Sequence, residues 1–428
     1  MIATVFPSVI SGQVKIPASK SAMQRACALA LLNNGETKIY HPGSSQDDLT
    51  ALRIIAQMGA SVTSRDDIII IKSDGLIKPD TEINCGESGL SFRMFAPIAA
   101  LSSSSVKFTG DGSLMKRPMP LIGTVFPLLH VTVRSNNGFL PIQVQGPLVP
   151  ADISIDASGS SQYLTGLLFA LAKAAKERIT INVTNLKSKP YIGLSLAMLE
   201  AFGFRVRHEG YTAFFIDPAD NVERNREYVV EGDWSSASFL MVAGAVAGSV
   251  TITGLDMLSV QGDKAILLLI GQCGAGVDMH AEGITIRQSA GLKSFDFDAT
   301  ECPDLFPPLV ALAVHCKGES VIRGVSRLAF KESDRAKSIK DVFEKMGHTI
   351  NIEGDIMRIN GGQRNTTVEV GSHDDHRIVM AAAVSALTGE GPVTITGAEA
   401  IDKSYPGFFK HLKMLGASVS LMNESIMP

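Results

Sequence analysis

A large charge of one sign, disulfide-type cysteine spacing and long apolar runs are all missing from this 428-residue chain. Its 39 Lys and Arg against 43 Asp and Glu leave a formal net charge of −4. Proteins that bind phosphate backbones carry a basic surface, so nucleic acid is excluded as the main partner. The five cysteines, at 27, 85, 273, 302 and 316, are odd in number, scattered and never spaced as CxxC. They suggest neither a disulfide framework nor a zinc site, and they fit a reducing compartment. Apolar runs such as Leu167 to Ala172 and Phe239 to Ala247 fall far short of the roughly 20 residues of a membrane helix. The segment Met1 to Pro7 lacks a basic stretch followed by an apolar one, so no signal peptide is expected. A Walker A loop and a dinucleotide fingerprint are also missing, since Gly110-Asp111-Gly112 is not followed by the required spacing. The expectation is a soluble cytoplasmic protein that uses neither ATP nor NAD and has no membrane partner.

What is present is repetition. A polar step leading into an alanine-rich helix recurs at Ser19-Lys20-Ser21-Ala22, Ser88-Gly89-Leu90-Ser91, Ser160-Ser161-Gln162-Tyr163, Ser235-Ser236-Ala237-Ser238, Asp304-Leu305-Phe306-Pro307 and Asp375-His376-Arg377-Ile378. The starts lie roughly 70 residues apart, and a fixed period marks a repeated structural unit. A β-type run follows each helix, as in Val106 to Gly110 or Val393 to Gly397. Then comes a second, more amphipathic helix: Gln46 to Gly59, Pro118 to His130, Pro190 to Gly203, Gly262 to Gly274, Asp334 to Gly347 and Tyr405 to Gly416. Five of these six end in Gly, as a left-handed helix cap prefers, and His130 is the exception. Two further strands complete a βαβαββ repeat.

The sixth repeat runs out of chain at Ser418 to Leu421, while the N-terminal segment has no repeat of its own. The simplest closure lets that segment complete the sixth repeat. The fold expected is α/β with two domains of three βαβαββ units each. Residues 15–230 form the first domain; 1–14 with 231–428 form the second. The polar stretch Asp217 to Arg226 reads as a surface connection to a hinge near Glu231-Gly232. Two such domains make a clamshell with its active site in the interdomain cleft.

Equivalent helix starts carry unequal side chains. Lys20, Ser21 and Arg25 decorate the first, Gly89 and Arg93 the second, Ser160, Ser161 and Gln162 the third. Asp304 stands at the fifth, His376 and Arg377 at the sixth; loops add Lys116-Arg117, Ser188-Lys189, Lys331-Glu332-Ser333-Asp334-Arg335 and Lys403. Helix N-termini offer free N–H groups to anions, Ser hydroxyls hold phosphates and Arg forks hold carboxylates. If these groups converge they suit small polyanions. Against this, a Ser or Asp before a helix is usually only its N-cap, and Lys331 to Arg335 reads equally well as a capped, solvated helix start. Arg25 and Arg93 could be snorkelling arginines. His373-Asp374-Asp375-His376 shows no third metal ligand nearby. Cys302 reads as a buried cysteine rather than a nucleophile.

Several motifs occur in order along nearly the whole chain: Pro17-Ala18-Ser19-Lys20-Ser21, Arg117-Pro118, Ser160-Ser161-Gln162, Ser188-Lys189-Pro190-Tyr191, Glu231-Gly232-Asp233, Gln261-Gly262-Asp263, Lys331-Glu332-Ser333-Asp334-Arg335, Asp375-His376-Arg377 and Lys403-Ser404-Tyr405-Pro406. In these the chain resembles the enolpyruvyl transferase family, in its shikimate-pathway branch. The resemblance implies transfer of the enolpyruvyl group of phosphoenolpyruvate to the 5-hydroxyl of shikimate-3-phosphate, with loss of phosphate through a tetrahedral intermediate. It implies no cofactor, no metal, a monomer and a glyphosate target. Ser160, Ser161 and Ser188 would hold the phosphate of shikimate-3-phosphate, and Lys20, Ser21, Arg25, Gln162, Asp304 and Lys331 the rest of that substrate. Phosphoenolpyruvate would fall to Lys20, Gly89, Arg117, Gln162, Arg335, Arg377 and Lys403.

The reaction needs an acid to protonate C3 and a base for the hydroxyl. The resemblance gives Glu332 the first role and Asp304 the second, with Lys20 steadying the leaving phosphate. Glu87 and Leu90 depart from the family's usual residues beside Gly89. The sister transferase that acts on a UDP-amino sugar is the nearest alternative, yet its reactive cysteine has no counterpart between Gly110 and Thr124. A protein-binding repeat scaffold is a third reading, and it offers no reason to keep Lys20, Glu332, Arg335, Arg377 and Lys403 together.

Overall fold

In the computed structural model the described residues are 1–219, 225–289, 291–329, 331–362 and 366–422. They form six four-stranded sheets, all of one design. In the fifth repeat, strand Asp296–Asp298 runs parallel to Glu319–Arg323, which pairs antiparallel with Ile356–Asn360, and Thr349–Glu353 closes the edge. One helix sits between the first two strands and another between the second and third, so the repeat is βαβαββ.

Three repeats make each of two compact units, Ala18–Glu231 and Met1–Pro17 with Gly232–Pro428. The boundaries fall after Pro17 and Glu231, slightly further along the chain than 14 and 230. Three sheets borrow a strand from far away in sequence. Ile2–Val5 lies between Val393–Thr396 and Val419–Met422, and so completes the sixth repeat. The rest of the N-terminal segment goes elsewhere: Ile10–Lys15 runs parallel to Gly248–Thr253 as the first strand of the fourth repeat. Arg226–Val229 is likewise the first strand of the first repeat, parallel to Asn34–Tyr40. The stretch 217–226 is therefore more than a connection at its end, and its residues 220–224 lie outside the described residues.

Each unit has its own apolar core, built around its three alanine-rich helices. Helix Trp234–Ala247 is buried along its whole length, which explains why it is apolar on every face. Small residues allow close helix contact: a Cβ on Gly166 would lie 2.5 Å from the Arg93 carbonyl oxygen of the neighbouring helix Gly89–Ala99. The second helix of each repeat ends in the left-handed region, with Gly59, Gly203, Gly274, Gly347 and Gly416 all at positive φ. His130 takes that position in the second repeat at φ 61°. The left-handed cap is thus retained without glycine, a conformation that costs a residue with a Cβ about 1 kcal/mol.

The N-cap reading holds for four of the six helix starts; in the fourth the cap is Asp233, two residues before Ser235, which lies inside helix Trp234–Ala247. Ser19, Ser88, Ser160, Asp233 and Asp375 each accept a hydrogen bond from an amide in the first turn of the following helix. The fifth differs. Pro303–Leu305 form a 3₁₀ turn leading into Phe306–Ala313, and Asp304 makes no capping bond. Its carboxylate is left to meet side chains instead.

Candidate active site

The candidate residues fall into two sets, one on each compact unit, and the sets differ in chemistry. On Ala18–Glu231 the helix starts of the first three repeats present cations and hydroxyls. Lys20 Nζ pairs with Asp47 Oδ2 at 2.9 Å. Arg25, one turn on, is buried, and neutral oxygens hold it: Nε donates to Ser195 Oγ at 2.9 Å, Nη1 to the Ser21 carbonyl at 2.9 Å and Nη2 to the Tyr191 carbonyl at 3.4 Å. Burial pushes its guanidinium down to about 10 against the opposing influence of Tyr191 and Tyr228. It is therefore no surface arginine.

Gln24 joins the first two helix starts, since its Oε1 accepts from the Ser88 and Ser91 hydroxyls at 3.1 and 3.0 Å. Arg93 joins the second to the third through Gln162 Oε1 at 2.8 Å, with its guanidinium 5.5 Å from the Tyr163 ring centre. Arg117 donates to Ser113 Oγ at 3.0 Å. Gly89 faces both arginines: a Cβ there would sit 2.6 Å from Arg93 Nη1 and 3.1 Å from Arg117 Nη1. Ser160 caps its helix and Ser161 begins it. Ser188 is held at φ 56°, ψ 46° just before helix Lys189–Ala201. A serine in that region is strained by roughly 1 kcal/mol, and such strain clusters at ligand sites.

The two departures flanking Gly89 point elsewhere. Glu87 accepts a hydrogen bond from the Ser113 amide at 3.0 Å, which ties its loop to the turn Gly112–Lys116 before Arg117. Leu90 is buried in the apolar core.

The other set interleaves acids with bases. Arg335, with no side-chain exposure, is gripped by three carboxylates: Asp304 at 3.0 Å, Glu332 at 2.5 Å and Asp375 at 2.8 Å. Asp304 also meets Lys331 at 3.3 Å and Arg377 at 3.1 Å. Burial works against the Asp304 charge, but Arg377, Lys331 and Arg335 override it and hold the carboxyl well below its usual range. Burial lowers the Lys331 ammonium, with Asp304 opposing. Behind this set lies Asp263, buried and bonded by the Ser235 hydroxyl. Burial and the Asp304 charge push it up to about 6, while Arg377 pulls the other way. Lys403 Nζ donates to the Asp374 carbonyl at 2.8 Å. Cys302 is buried, and burial raises its thiol far above the usual value, which makes a poor nucleophile.

Asp375 is the residue the sequence reading undervalued. It stands in one of the motifs, yet it caps helix His376–Ser385 through the Arg377 amide at 3.0 Å and also accepts from Arg335 Nε and Nη2 with its two oxygens. Asp47 and Gln24 are not singled out in the sequence at all, and Arg93 stands there only as a charged group at the second helix start or a snorkelling arginine, whereas it is buried and bonded to Gln162. Their partners lie 27 to 69 residues away, and no local pattern marks such contacts. Among the described residues no group of three or more potential metal ligands is present, and no helix is long and apolar enough to cross a membrane.

Comparison with known proteins bears on both sets. Residues 6–412 match the family model for EPSP synthase (3-phosphoshikimate 1-carboxyvinyltransferase). A 3-phosphoshikimate 1-carboxyvinyltransferase of Methanocorpusculum labreanum is 37% identical over 418 residues, covering 96% of this chain and 98% of its own. Its counterpart from Clostridioides difficile is 32% identical and covers 98% of each. Among solved structures, an EPSP synthase from Acinetobacter baumannii superposes with a TM-score of 0.82 at 25% identity over 98% of this chain and all of its own. The enolpyruvyl transferase NikO from Streptomyces tendae reaches 0.78 at 16% identity over 98% of each, a likeness of fold alone.

Proposed function

This chain belongs to the EPSP synthase family, and from that premise we infer that it transfers the enolpyruvyl group of phosphoenolpyruvate to the 5-hydroxyl of shikimate-3-phosphate, releasing phosphate in the shikimate pathway to the aromatic amino acids. The single observation that carries the reading is the family match over residues 6–412 of a chain that carries Lys20, Asp304, Glu332, Arg335, Arg377 and Lys403.

In this reading the hydroxyl- and cation-rich set recognises. Ser160, Ser161 and Ser188 take the phosphate of shikimate-3-phosphate, while Arg25, Ser21 and Gln162 hold its ring and carboxylate. Lys20, Gly89, Arg117 and Gln162 meet phosphoenolpyruvate. The acid–base set serves the same substrates: Lys331 and Asp304 act on shikimate-3-phosphate, and Arg335, Arg377 and Lys403 on phosphoenolpyruvate. Asp304 is ionised, as a base must be, but three cations make it a weak one. An anionic substrate that engages Arg335 and Arg377 weakens their hold, so Asp304 gains basicity as the substrate binds. The same exchange frees Glu332 from Arg335. A carboxyl held in an ion pair has no proton to give, so its release precedes protonation of C3. Lys20 then steadies charge on the leaving phosphate.

The test is phosphate release from phosphoenolpyruvate with shikimate-3-phosphate, with a UDP-amino sugar, or with neither. Release with the UDP-amino sugar alone would move the chain to the sister transferase. We place the enzyme in the cytoplasm as a monomer, and a dimer mass by light scattering would correct that. Glyphosate is expected to compete with phosphoenolpyruvate. A methyl on Gly89 would push against the ends of Arg93 and Arg117, flexible groups that can yield, so Gly89→Ala should keep activity while losing sensitivity to the longer inhibitor. Equal inhibition curves for the two proteins at fixed phosphoenolpyruvate would show that position 89 does not govern the inhibitor.

A further inference from the structure

Arg25 is buried with three neutral acceptors, and among the described residues no carboxylate pairs with it. How its guanidinium is oriented therefore depends on those acceptors. Two are backbone carbonyls, of Ser21 and Tyr191. The third, Ser195 Oγ, belongs to a closed hydroxyl network. Ser195 lies one turn after Tyr191 on helix Lys189–Ala201 and donates back to the Tyr191 carbonyl at 3.0 Å. Thr165 Oγ1, from helix Ser161–Ala174, stands 2.8 Å from Ser195 Oγ. A hydroxyl has one proton and two acceptor positions. With its proton committed to Tyr191, Ser195 receives the Arg25 Nε–H on one lone pair and the Thr165 hydroxyl on the other. Both side chains are fully buried, so water cannot stand in for either.

A guanidinium carries five N–H groups. Three are taken by the protein, which leaves one on each terminal nitrogen for a ligand. We propose that Ser195, backed by Thr165, is a positioning residue for shikimate-3-phosphate: it fixes the plane of the Arg25 guanidinium so that the two remaining N–H groups meet the anion. The inference rests on Arg25 being a shikimate-3-phosphate residue, and neither Ser195 nor Thr165 is assigned a contact with the substrate. Without the Ser195 oxygen, the Nε–H has no acceptor in a dry site, and the plane is free to turn until it finds one.

Kinetics of the full-length enzyme test this. Ser195→Ala should raise KM for shikimate-3-phosphate about tenfold, as expected for a hydrogen bond to a charged group. KM for phosphoenolpyruvate and kcat should stay within about twofold. A lysine at position 25 keeps the charge but has no Nε–H, so Ser195→Ala should add less than about twofold in an Arg25→Lys background. A full tenfold effect there would mean general damage to the helix and would overturn the proposal. So would an unchanged KM in Ser195→Ala while Arg25→Lys raises it. If Arg25→Lys itself leaves KM unchanged, the reading of Arg25 is what fails. Thr165→Val removes only the backing hydroxyl and should raise the same KM about threefold. It also decides the matter should Ser195→Ala not fold, since an unchanged KM would then overturn the proposal.

Discussion

Two buried arginines, Arg25 and Arg335, are balanced very differently in the two compact units. Both are shielded from water. Arg335 carries three carboxylates of its own, from Asp304, Glu332 and Asp375, whereas Arg25 rests on two carbonyls and a hydroxyl. A buried charge without a counter-ion is costly, and one with several is a stable structural element. Under the proposed function Arg25 is the one that receives an anion from outside. Arg335 already has its anions, and under the same reading it exchanges one of them for a ligand. Recognition and chemistry, under the proposed function, rest on different balances of charge.

The most drastic way to break this division is Glu332→Gln. The amide keeps the shape but cannot donate a proton, so kcat should fall about 100- to 10,000-fold with both substrates still bound. A variant retaining about a third of wild-type turnover would remove Glu332 from the proton path.

Next in size is a paired comparison of stability. Arg335→Met strands three carboxylates and should cost about 3–5 kcal/mol, roughly 10 °C in Tm. Arg25→Met removes an unpaired buried cation and should change stability by less than about 1 kcal/mol without ligand, because the lost hydrogen bonds are offset by relief of the burial cost. Equal losses in thermal melts of the two variants would erase the distinction.

Asp48 sharpens the contrast through pH. It is the buried capping partner of Ser45, whose amide and hydroxyl donate to it at 3.0 and 2.6 Å. Burial nevertheless pushes its carboxyl up to about 7, while the two Ser45 bonds oppose. Between about pH 4 and pH 7 the folded state therefore holds a proton that the unfolded chain has lost, so this group's contribution to stability falls as pH rises through that window. Asp48→Asn should gain on the wild type between pH 5 and pH 8, by about 2–3 kcal/mol if the full shift is expressed. A difference in Tm that does not vary with pH would show that Asp48 is ionised throughout.

The smallest effect is expected from the phosphate hydroxyls. Ser160→Ala with Ser161→Ala should raise KM for shikimate-3-phosphate about tenfold and spare kcat, since they act on a group that does not react. Loss of phosphoenolpyruvate binding alone would reassign them.

Much of this was legible in the primary structure because it is local. Ser and Asp before an alanine-rich run mark a helix start, Gly after an amphipathic run marks its end, and a regular period marks the repeat. His130 escaped because its left-handed backbone is imposed by the repeat rather than by the residue. Within the candidate site, charged residues beside helix starts could be singled out, but not the partners that set their state. That Arg25 leans on Ser195, 170 positions later, or that Asp375 binds Arg335 across 40, depends on how the repeats pack. The departure at Glu87 could only be weighed once its bond to the Ser113 amide was visible.

The borrowed strands have a consequence for how the chain emerges from the ribosome. Every strand of Ala18–Glu231 has been made once residue 229 is reached, so that unit can assemble while synthesis continues. Ile10–Lys15 must wait for Gly248–Thr253, and Ile2–Val5 for Val393–Thr396. At about 5–20 residues per second, the first strand stays without its sheet for on the order of 20 to 80 s, beside a neighbour that can already be folded. Moving residues 1–17 to the far end of the chain would remove that wait and make both halves contiguous in translation.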